Sequence, residues 1–238
     1  MAMSLDGKRV VVIGGASGIG FGIAKLAAEH GATVVIGSSK EANVTAAVAK
    51  LKDATGYTVD VRDEASVQAF FAKVGAFDHL AFTAGDWDFQ TVSAKDIDLA
   101  KARANLDVRL WGAVAAIKHA VGTIAKDGSI TLTSGMLVHR PRKGAPLVGA
   151  IGGATESLAK SFAADLAPVR VNAVCPGLVL TEHVEKSYPQ QQRDAVVGGQ
   201  PLPRTATVEE AAMAYVYAMM NGYVTGQTLP IDGGGLLV

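Results

Sequence analysis

The sequence KRVVVIGGASGIG, from Lys8 to Gly20, joins a run of β-branched residues to a cluster of glycines. Four consecutive apolar residues, Val10–Ile13, are typical of a parallel strand that is buried on both faces. Gly14, Gly18 and Gly20 then allow a tight turn, close approach of the backbone to a diphosphate, and close packing of the next helix. The stretch predicts a strand, a phosphate-binding turn and a helix. A glycine-rich turn without a ligand is the alternative unless other motifs support a nucleotide.

Composition narrows the class of protein. The chain has 238 residues, of which 49% are hydrophobic, and this suits one large α/β domain. The formal net charge is zero, so we expect no nucleic acid partner and no attraction to an anionic membrane. The single cysteine, Cys175, is expected to be a buried thiol in a reducing compartment, the cytoplasm. The sequence shows no signal-peptide pattern and no apolar run of about 18 residues, so we expect no membrane segment.

Strand-like and helix-like segments alternate along the chain, and this pattern predicts one doubly wound parallel sheet. We expect a single α/β Rossmann-type domain over residues 1–238, with about seven strands and with helices on both faces. The expected strands are 10–13, 33–36, 57–61, 79–83, 129–133, 169–174 and 227–231. The expected helices are 19–30, 41–51, 64–73, a long one over 94–126 that allows a break, 150–166 and 208–220.

One segment, residues 178–203, differs in composition from the core elements. It contains Pro189, Gly198, Gly199 and Pro201 among many polar residues. Such a composition is typical of a mobile loop with a function. We therefore expect a lid over the substrate here.

Several motifs resemble those of the short-chain dehydrogenase/reductase family, and they occur in register along the whole chain. GGASGIG at Gly14–Gly20 resembles the family's TGxxxGIG, with Ile13 in place of Thr, and FTAG at Phe82–Gly85 resembles its NNAG. RVNAVCPGLVLT at Arg170–Thr181 resembles the segment beside the nicotinamide, and TGQTLPIDGG resembles the terminal TGxxxxVDGG. The resemblance implies a Rossmann-type fold, a dinucleotide cofactor and hydride transfer.

The end of the second strand favours NADP over NAD. A carboxylate at this position binds the ribose 2′-hydroxyl of NAD, whereas the 2′-phosphate of NADP needs donors and positive charge. The segment Ser38-Ser39-Lys40 offers two hydroxyls, backbone amides and an ammonium group, without an acid at the tip of the strand. We therefore expect NADP(H). The alternative is an ordinary polar turn, with Lys40 in solvent or paired with Glu41.

The expected cofactor site combines this segment with the positions that the resemblance implies. Asp60 and Val61 resemble the family's Asp segment that contacts the adenine after the third strand. The complete set comprises Gly14, Ser17, Gly18, Ile19, Gly20, Ser38, Ser39, Lys40, Asp60, Val61, Thr83, Ala84, Gly85, Pro176, Gly177, Val179 and Thr181.

The catalytic positions depart from the family pattern. Aligning GGATESLAKSFAADL, which begins at Gly152, with the family's KAAxxxLxxSLAxEL puts Gly152 at the position of the Lys and Val148 at that of the Tyr. A shift of one residue in either direction restores neither side chain. LDVRLWG likewise puts Arg109 where the family has an Asn. The sequence therefore resembles an atypical branch of the family.

Three residues are expected to take part in the chemistry. Ser134, at the family's Ser position, can bond a substrate oxygen, but a hydroxyl without a neighbouring base is a poor proton donor. Arg109 would stabilise a developing alkoxide, and His139 is the nearby side chain that titrates near neutrality. The structural alternatives are a turn hydroxyl for Ser134, an ion pair with Asp107 or another carboxylate for Arg109, and a surface position for His139.

Other motifs give further expectations. Asp86 and Asp88, beside Trp87, are expected at the entrance of the pocket. The five histidines are scattered and predict no metal site, and Ser134 lacks the GxSxG elbow of a hydrolase. Two classes remain. One is an NADP(H)-dependent reductase or dehydrogenase for a small carbonyl, imine or conjugated substrate, and the other is an NADP(H)-binding sensor or oligomer partner without turnover.

The expected assembly follows from two helices rich in small residues, at 94–126 and 150–166. The family commonly uses these helices for a two-fold interface, and small residues allow helices to approach closely. We therefore expect a homodimer or a homotetramer.

Overall fold

A single parallel sheet forms the centre of the molecule, in a computed structural model that describes residues 4–85 and 92–238. Its strands are β1 (Arg9–Ile13), β2 (Thr33–Ser38), β3 (Ala54–Thr58), β4 (Phe77–Phe82), β5 (Ile124–Thr133), β6 (Arg170–Pro176) and β7 (Thr228–Ile231). The strand order is β3-β2-β1-β4-β5-β6-β7, and every neighbouring pair is parallel. The predicted doubly wound α/β fold is therefore confirmed.

Helices cover both faces of this sheet. They are α1 (Gly18–Glu29), α2 (Glu41–Val48), α3 (Glu64–Val74), α4 (Leu99–Leu106), α5 (Gly112–Ala120), α6 (Pro146–Asp165), α7 (Glu182–Ser187), α8 (Gln190–Val197) and α9 (Val208–Met220). Short 3-10 turns span Ala94–Asp96 and Met136–Val138, and a π-helical turn spans Asp107–Trp111. None of the helices within the described ranges is long and apolar enough to cross a membrane.

The β-branched run of β1 divides its side chains between two hydrophobic cores. Val11 and Ile13 pack in the core beneath α3, α5 and α6, whereas Val10 and Val12 pack in the core beneath α1, α2 and α9. All four side chains are buried. Because successive side chains of a strand point to opposite faces, a strand between two layers of helices needs apolar residues at every position.

The strand order also determines where a ligand can bind. β1 lies between β2 and β4, so the chain changes its direction of winding across the sheet at β1. In doubly wound sheets the crevice at such a switch point, at the carboxyl ends of the strands, is where ligands bind. The turn after β1 and the segment after β4 meet at this crevice.

The third and fifth strands differ from the prediction. Residues 57–61 were expected to form the third strand, but β3 begins at Ala54, pairs with β2 along its length and ends at Thr58. Val59 and Val61 are buried beyond the end of the strand, and the amide of Val59 still donates to the Ser38 carbonyl at 2.9 Å, so the chain continues beside β2 just past β3. β5 begins at Ile124, earlier than the predicted 129, and its pairing with β4 has a register shift between Phe77 and His79.

The predicted long helix over 94–126 is interrupted. Asp98 caps the N-terminus of α4 by accepting hydrogen bonds from the amides of Ala100 and Lys101. The π-helical turn then separates α4 from α5, and strand pairing has begun by Ile124. The expected lid, 178–203, contains α7 and α8, and Val179 bridges to Ala206 at its start. Its mobility remains a prediction.

A buried histidine lies on the central strands of the sheet. The Nδ1 atom of His79 in β4 is 2.9 Å from Oγ of Ser129 in β5. Burial lowers the pKa of His79 to about 4, and the charge of Arg170 acts in the same direction. The folded protein therefore keeps this imidazole neutral at pH values where an unfolded chain protonates it.

We predict that His79 makes the protein less stable as the pH falls from about 6.5 to about 4. Between these values the unfolded chain binds a proton that the folded chain does not, so the free energy of unfolding falls by roughly 3 kcal/mol. His79→Asn retains a hydrogen-bonding group for Ser129 but does not titrate. Urea unfolding at several pH values should give a shallower pH dependence for the variant than for the wild type. Equal slopes would show that His79 is not responsible.

Candidate active site

Two glycines that follow β1, Gly14 and Gly20, lie where no side chain fits. Gly14 has a φ of +87°, and a Cβ atom on it would lie 2.6 Å from both the Ala84 amide nitrogen and Oγ1 of Thr83. A Cβ on Gly20 would overlap the Gly14 carbonyl. Only glycine therefore fits where the turn, the first residues of α1 and the end of β4 approach one another.

This turn presents backbone donors to the crevice. Ser17 is the N-cap of α1, and within the described chain its side chain makes no capping hydrogen bond, so that side chain leaves the first amides of the helix to a ligand. The N-terminus of a helix favours anions through its free amides and its dipole. A bare glycine turn and a helix N-terminus at a switch point fit the diphosphate of a dinucleotide.

The segment at the end of β2 lies next to the glycine turn. The amides of Gly14 and Gly15 donate to the carbonyl of Gly37, at 2.8 and 3.2 Å. Ser38 ends β2, Ser39 is exposed, and Lys40 is the N-cap of α2. Ser38, Ser39 and Lys40 are therefore at the edge of the crevice where sequence reasoning expected them.

The predicted adenine-side residues lie just beyond β3. The carboxylate of Asp60 accepts hydrogen bonds from Arg62 at 2.8 and 3.0 Å, and this interaction lowers the pKa of Asp60. Val61 is buried, and a Cβ on Gly112 would lie 2.9 Å from its side chain. α5 thus packs closely on this segment. The contact of Asp60 with adenine remains a prediction.

The segment after β6 approaches the glycine turn from the other side. The amide of Gly177 donates to the carbonyl of Ile231 at 2.9 Å, and Val179 is buried. Thr181 caps α7 by accepting a hydrogen bond from the Val184 amide at 3.2 Å. A Cβ on Gly18 would lie 3.3 Å from Cγ2 of Thr181, so the turn and the expected nicotinamide-side segment are neighbours.

Ser134 has a neighbouring base that sequence reasoning missed. Its backbone amide donates to the Val174 carbonyl at 2.8 Å, which places it beyond the end of β5. Its Oγ donates to Oε1 of Glu156 at 2.7 Å and lies 3.3 Å from the Gly152 carbonyl. Ser134 and Glu156 are both buried. The expectation that Ser134 lacks a base is therefore wrong, because α6 supplies one.

His139 contacts the same carboxylate. Its Nε2 atom is 3.1 Å from Oε1 of Glu156, and 43% of its side chain is exposed. The imidazole also lines a cavity of about 370 Å³, together with Arg140, Arg142 and Gln200. His139 is therefore not simply a surface residue, since it connects a buried carboxylate to an open cavity.

The position of the missing lysine is blocked. A Cβ on Gly152 would lie 2.5 Å from Cγ2 of Val138 and 3.3 Å from Oγ of Ser134. A lysine side chain could leave α6 here only if Val138 moved. The replacement of this lysine is thus part of the local packing, and Glu156 lies one helical turn further along the same helix.

Arg109 reaches the end of β4 from the π-helical turn. Its guanidinium group lies against Gly85, where an added Cβ would overlap with it. The structure therefore places Arg109 at the carboxyl edge of the sheet, as its predicted role requires.

Tyr215 does not replace the missing tyrosine, because it is fully buried and its hydroxyl is 2.7 Å from Oγ1 of Thr133. Burial raises the pKa of Tyr215.

Cys175 lies beside the same carboxylate. A ring nitrogen of His139, a carboxylate oxygen of Glu156 and the Sγ atom of Cys175 lie within 4.8 Å of one another. Burial, and next the charge of Glu156, raise the pKa of Cys175 to about 12, so the predicted buried thiol is confirmed as a protonated one. Sequence spacing gave no hint of this group, because a loop, a helix and a strand each contribute one member. Asp86, Trp87 and Asp88 lie outside the described residues.

A doubly wound sheet with a glycine turn at its switch point defines a dinucleotide-binding protein. Comparison with known proteins identifies the family within this class. Residues 14–235 match the family model described as enoyl-(acyl carrier protein) reductase. The short-chain dehydrogenase/reductase ucsE of Acremonium sp is 36% identical over 263 residues, covering 99% of this chain and 98% of that protein. The chain therefore belongs to the short-chain dehydrogenase/reductase family of oxidoreductases, whose members bind NAD(P)(H).

Solved structures agree with this assignment. The MalC reductase/Diels-Alderase from Malbranchea aurantiaca superposes with a TM-score of 0.92 at 29% identity, covering 98% of each chain. A small-chain dehydrogenase in complex with NADPH gives a TM-score of 0.83 at 35% identity, covering 97% of this chain and 99% of that one. The fold is therefore that of the family along nearly the whole chain.

We predict that Gly14→Ala weakens binding of NADPH or NADH by about tenfold or more. The new methyl group would collide with Thr83 and Ala84 and so displace the turn. Gly7→Ala is a matched control, because Gly7 also has a positive φ, +71°, but has open space around its Cβ position. In both variants, the left-handed conformation of alanine lowers the free energy of unfolding by roughly 1–2 kcal/mol. Fluorescence titration should show weaker binding for Gly14→Ala alone, and equal affinities would contradict the assignment of the turn.

Proposed function

We propose that this protein is an NADP(H)-dependent oxidoreductase that transfers a hydride to or from a small organic carbonyl, imine or conjugated substrate. The observation that carries the proposal is the hydrogen-bonded group Ser134–Glu156–His139, which lies beyond the end of β5 and connects to an open cavity. When bound, the nicotinamide supplies or accepts the hydride. A protein that only binds nucleotide needs no such protonatable group, and this favours turnover over a sensor or oligomer partner.

The preference for NADP(H) is supported by the residues after β2. Ser38, Ser39 and Lys40 offer hydroxyl and ammonium groups between the end of β2 and the start of α2, where we expect the 2′-phosphate to bind. Charge-assisted hydrogen bonds to such a phosphate are stronger than those between neutral groups. The similar small-chain dehydrogenase in complex with NADPH agrees with this choice.

The roles of the site residues follow from their chemistry. Ser134 bonds the substrate oxygen or nitrogen, and Arg109 stabilises negative charge that develops there. His139 supplies protons at the edge of the cavity of about 370 Å³, which we propose as the substrate pocket. Without the family's Tyr and Lys, we expect this protein to reduce ordinary ketones more slowly than family members that have both residues. A positioned general acid is typically worth about 10²–10⁴ in rate.

We also propose that the protein acts as a homodimer or homotetramer in the cytoplasm. Leu99, Trp111 and Val121 expose apolar surface on α4, the π-helical turn and the end of α5. Burial of this surface between copies would stabilise a symmetric assembly. The free thiol of Cys175 suits a reducing compartment.

We predict that NADPH binds more tightly than NADH. Each charge-assisted hydrogen bond to the 2′-phosphate should contribute roughly 1.5–3 kcal/mol. The double variant Ser39→Asp, Lys40→Ala should therefore lose the preference, because it replaces donors with a negative charge. Fluorescence titration with both cofactors measures the ratio of the two dissociation constants. Equal constants for the wild type, or an unchanged ratio in the variant, would contradict the NADP(H) assignment.

We predict that Arg109→Met lowers kcat by roughly 10²–10³ on the best substrate of a panel of ketones, imines and enones. The affinity for NADPH should change only a few-fold, because the stabilisation acts on the transition state. Ser134→Ala should act in the same sense. If His139→Gln abolishes activity while Arg109→Met retains it, the electrostatic role of Arg109 is wrong. If the wild type oxidises no NADPH with any substrate, the protein binds cofactor without turnover.

A further inference from the structure

We infer that Glu156 is a positioning residue that passes protons between His139 and Ser134, in place of the tyrosine and lysine that the chain lacks. The inference rests on the proposed reductase function. Glu156 occupies neither the tyrosine position nor the lysine position of the family pattern, which are Val148 and Gly152 in this chain.

The geometry forms a continuous path. Oε1 of Glu156 lies 2.7 Å from Oγ of Ser134 and 3.1 Å from Nε2 of His139, so one oxygen atom contacts both partners. Glu156 is only 6% exposed, whereas 43% of the His139 side chain is exposed and lines the cavity. A proton can therefore enter from solvent at the imidazole and reach the buried hydroxyl through a single carboxyl oxygen.

The packing around Glu156 supports a role in proton transfer. Gly152, one turn earlier on α6, carries no side chain, and Val138 occupies the space where a lysine would begin. Among the described residues, the other elements bring two titratable groups close to this carboxylate, His139 from the loop after β5 and Cys175 from β6. The raised pKa of Cys175 keeps that thiol protonated, and the imidazole of His139 is the neighbour of Glu156 that also reaches the cavity.

The proposed step balances for reduction of a carbonyl. The carbon gains the hydride and the oxygen gains the proton of Ser134, so the C=O π bond is replaced by one C–H bond and one O–H bond. A proton passes from Nε2 of His139 to Oε1 of Glu156 and on to Oγ of Ser134 as the Ser134 proton leaves, so Glu156 begins and ends the cycle as the carboxylate that accepts the Ser134 hydrogen bond. His139 regains its proton from the solvent in the cavity. One hydride and one solvent proton are consumed, and the protein groups return to their starting state.

The experiment compares two acceptors that differ in their need for a proton. A cyclic ketone requires a hydride and a proton, whereas the N-methyl iminium ion of the same ring requires only a hydride. With NADPH as donor, the ratio of kcat for the ketone to kcat for the iminium ion should fall by about 10² or more in Glu156→Gln. Glutamine keeps the size and a hydrogen-bonding group but cannot relay a proton. The Kd for NADPH, measured by fluorescence, should remain within about threefold of the wild-type value.

His139→Gln interrupts the path at its exposed end, and we expect the same ratio to fall in that variant. Asp165→Asn makes the same carboxylate-to-amide change at an exposed position near the end of α6, and it should leave the ratio unchanged. An unchanged ratio in Glu156→Gln, or equal losses on both acceptors, would assign Glu156 a structural role and overturn the inference. Loss of wild-type ketone reduction on treatment with a chelator would assign the group to a metal ion and also overturn it.

Two wild-type results separate this inference from the function on which it rests. If the wild type reduces the iminium ion but not the ketone, the reductase function stands and the proton path is overturned. If it reduces neither these acceptors nor any member of the substrate panel, the proposed function itself fails.

Discussion

The close contact between the Gly14 turn and the end of β4 is the constraint on which the site depends. Because a Cβ at Gly14 would lie 2.6 Å from Thr83 and Ala84, the backbone itself forms the floor of the crevice. The same contact aligns the carboxyl ends of β1 and β4, and the pairing of β4 with β5 then fixes Ser134 at the same edge. The expected cofactor-binding residues and catalytic residues are thus held at one edge of the same sheet, although they come from distant parts of the chain.

The chemical part of the site has changed its electrostatic character relative to the family pattern. The family has a lysine at the position of Gly152. This chain instead has a buried carboxylate, Glu156, one turn further along α6. The cation Arg109 comes from a different element, the π-helical turn, and lies against Gly85 beyond the end of β4. Hydroxyl, carboxyl and imidazole groups are therefore arranged in series.

The sequence predicted what depends on local pattern and missed what depends on convergence in space. The run Val10–Ile13 indicated a strand buried on both faces, and the glycine motif indicated the crevice, because each constraint acts on adjacent residues. Glu156 went unnoticed because its partners Ser134 and His139 come from the segment after β5, which is distant from α6 in sequence. The third strand was predicted too late in the sequence because Val59 and Val61, which are buried beyond its end, have the apolar pattern of strand residues.

The packing of Val138 against Gly152 also restricts how this protein can diverge. A lysine at residue 152 would meet Val138 at once, since even its Cβ would lie 2.5 Å from Cγ2 of that valine. A smaller residue at 138 would first leave a cavity beside Ser134, at a cost in stability and without a gain in activity. A lysine at residue 152 therefore requires a smaller residue at 138 at the same time, so we expect these two positions to accept substitution only as a pair.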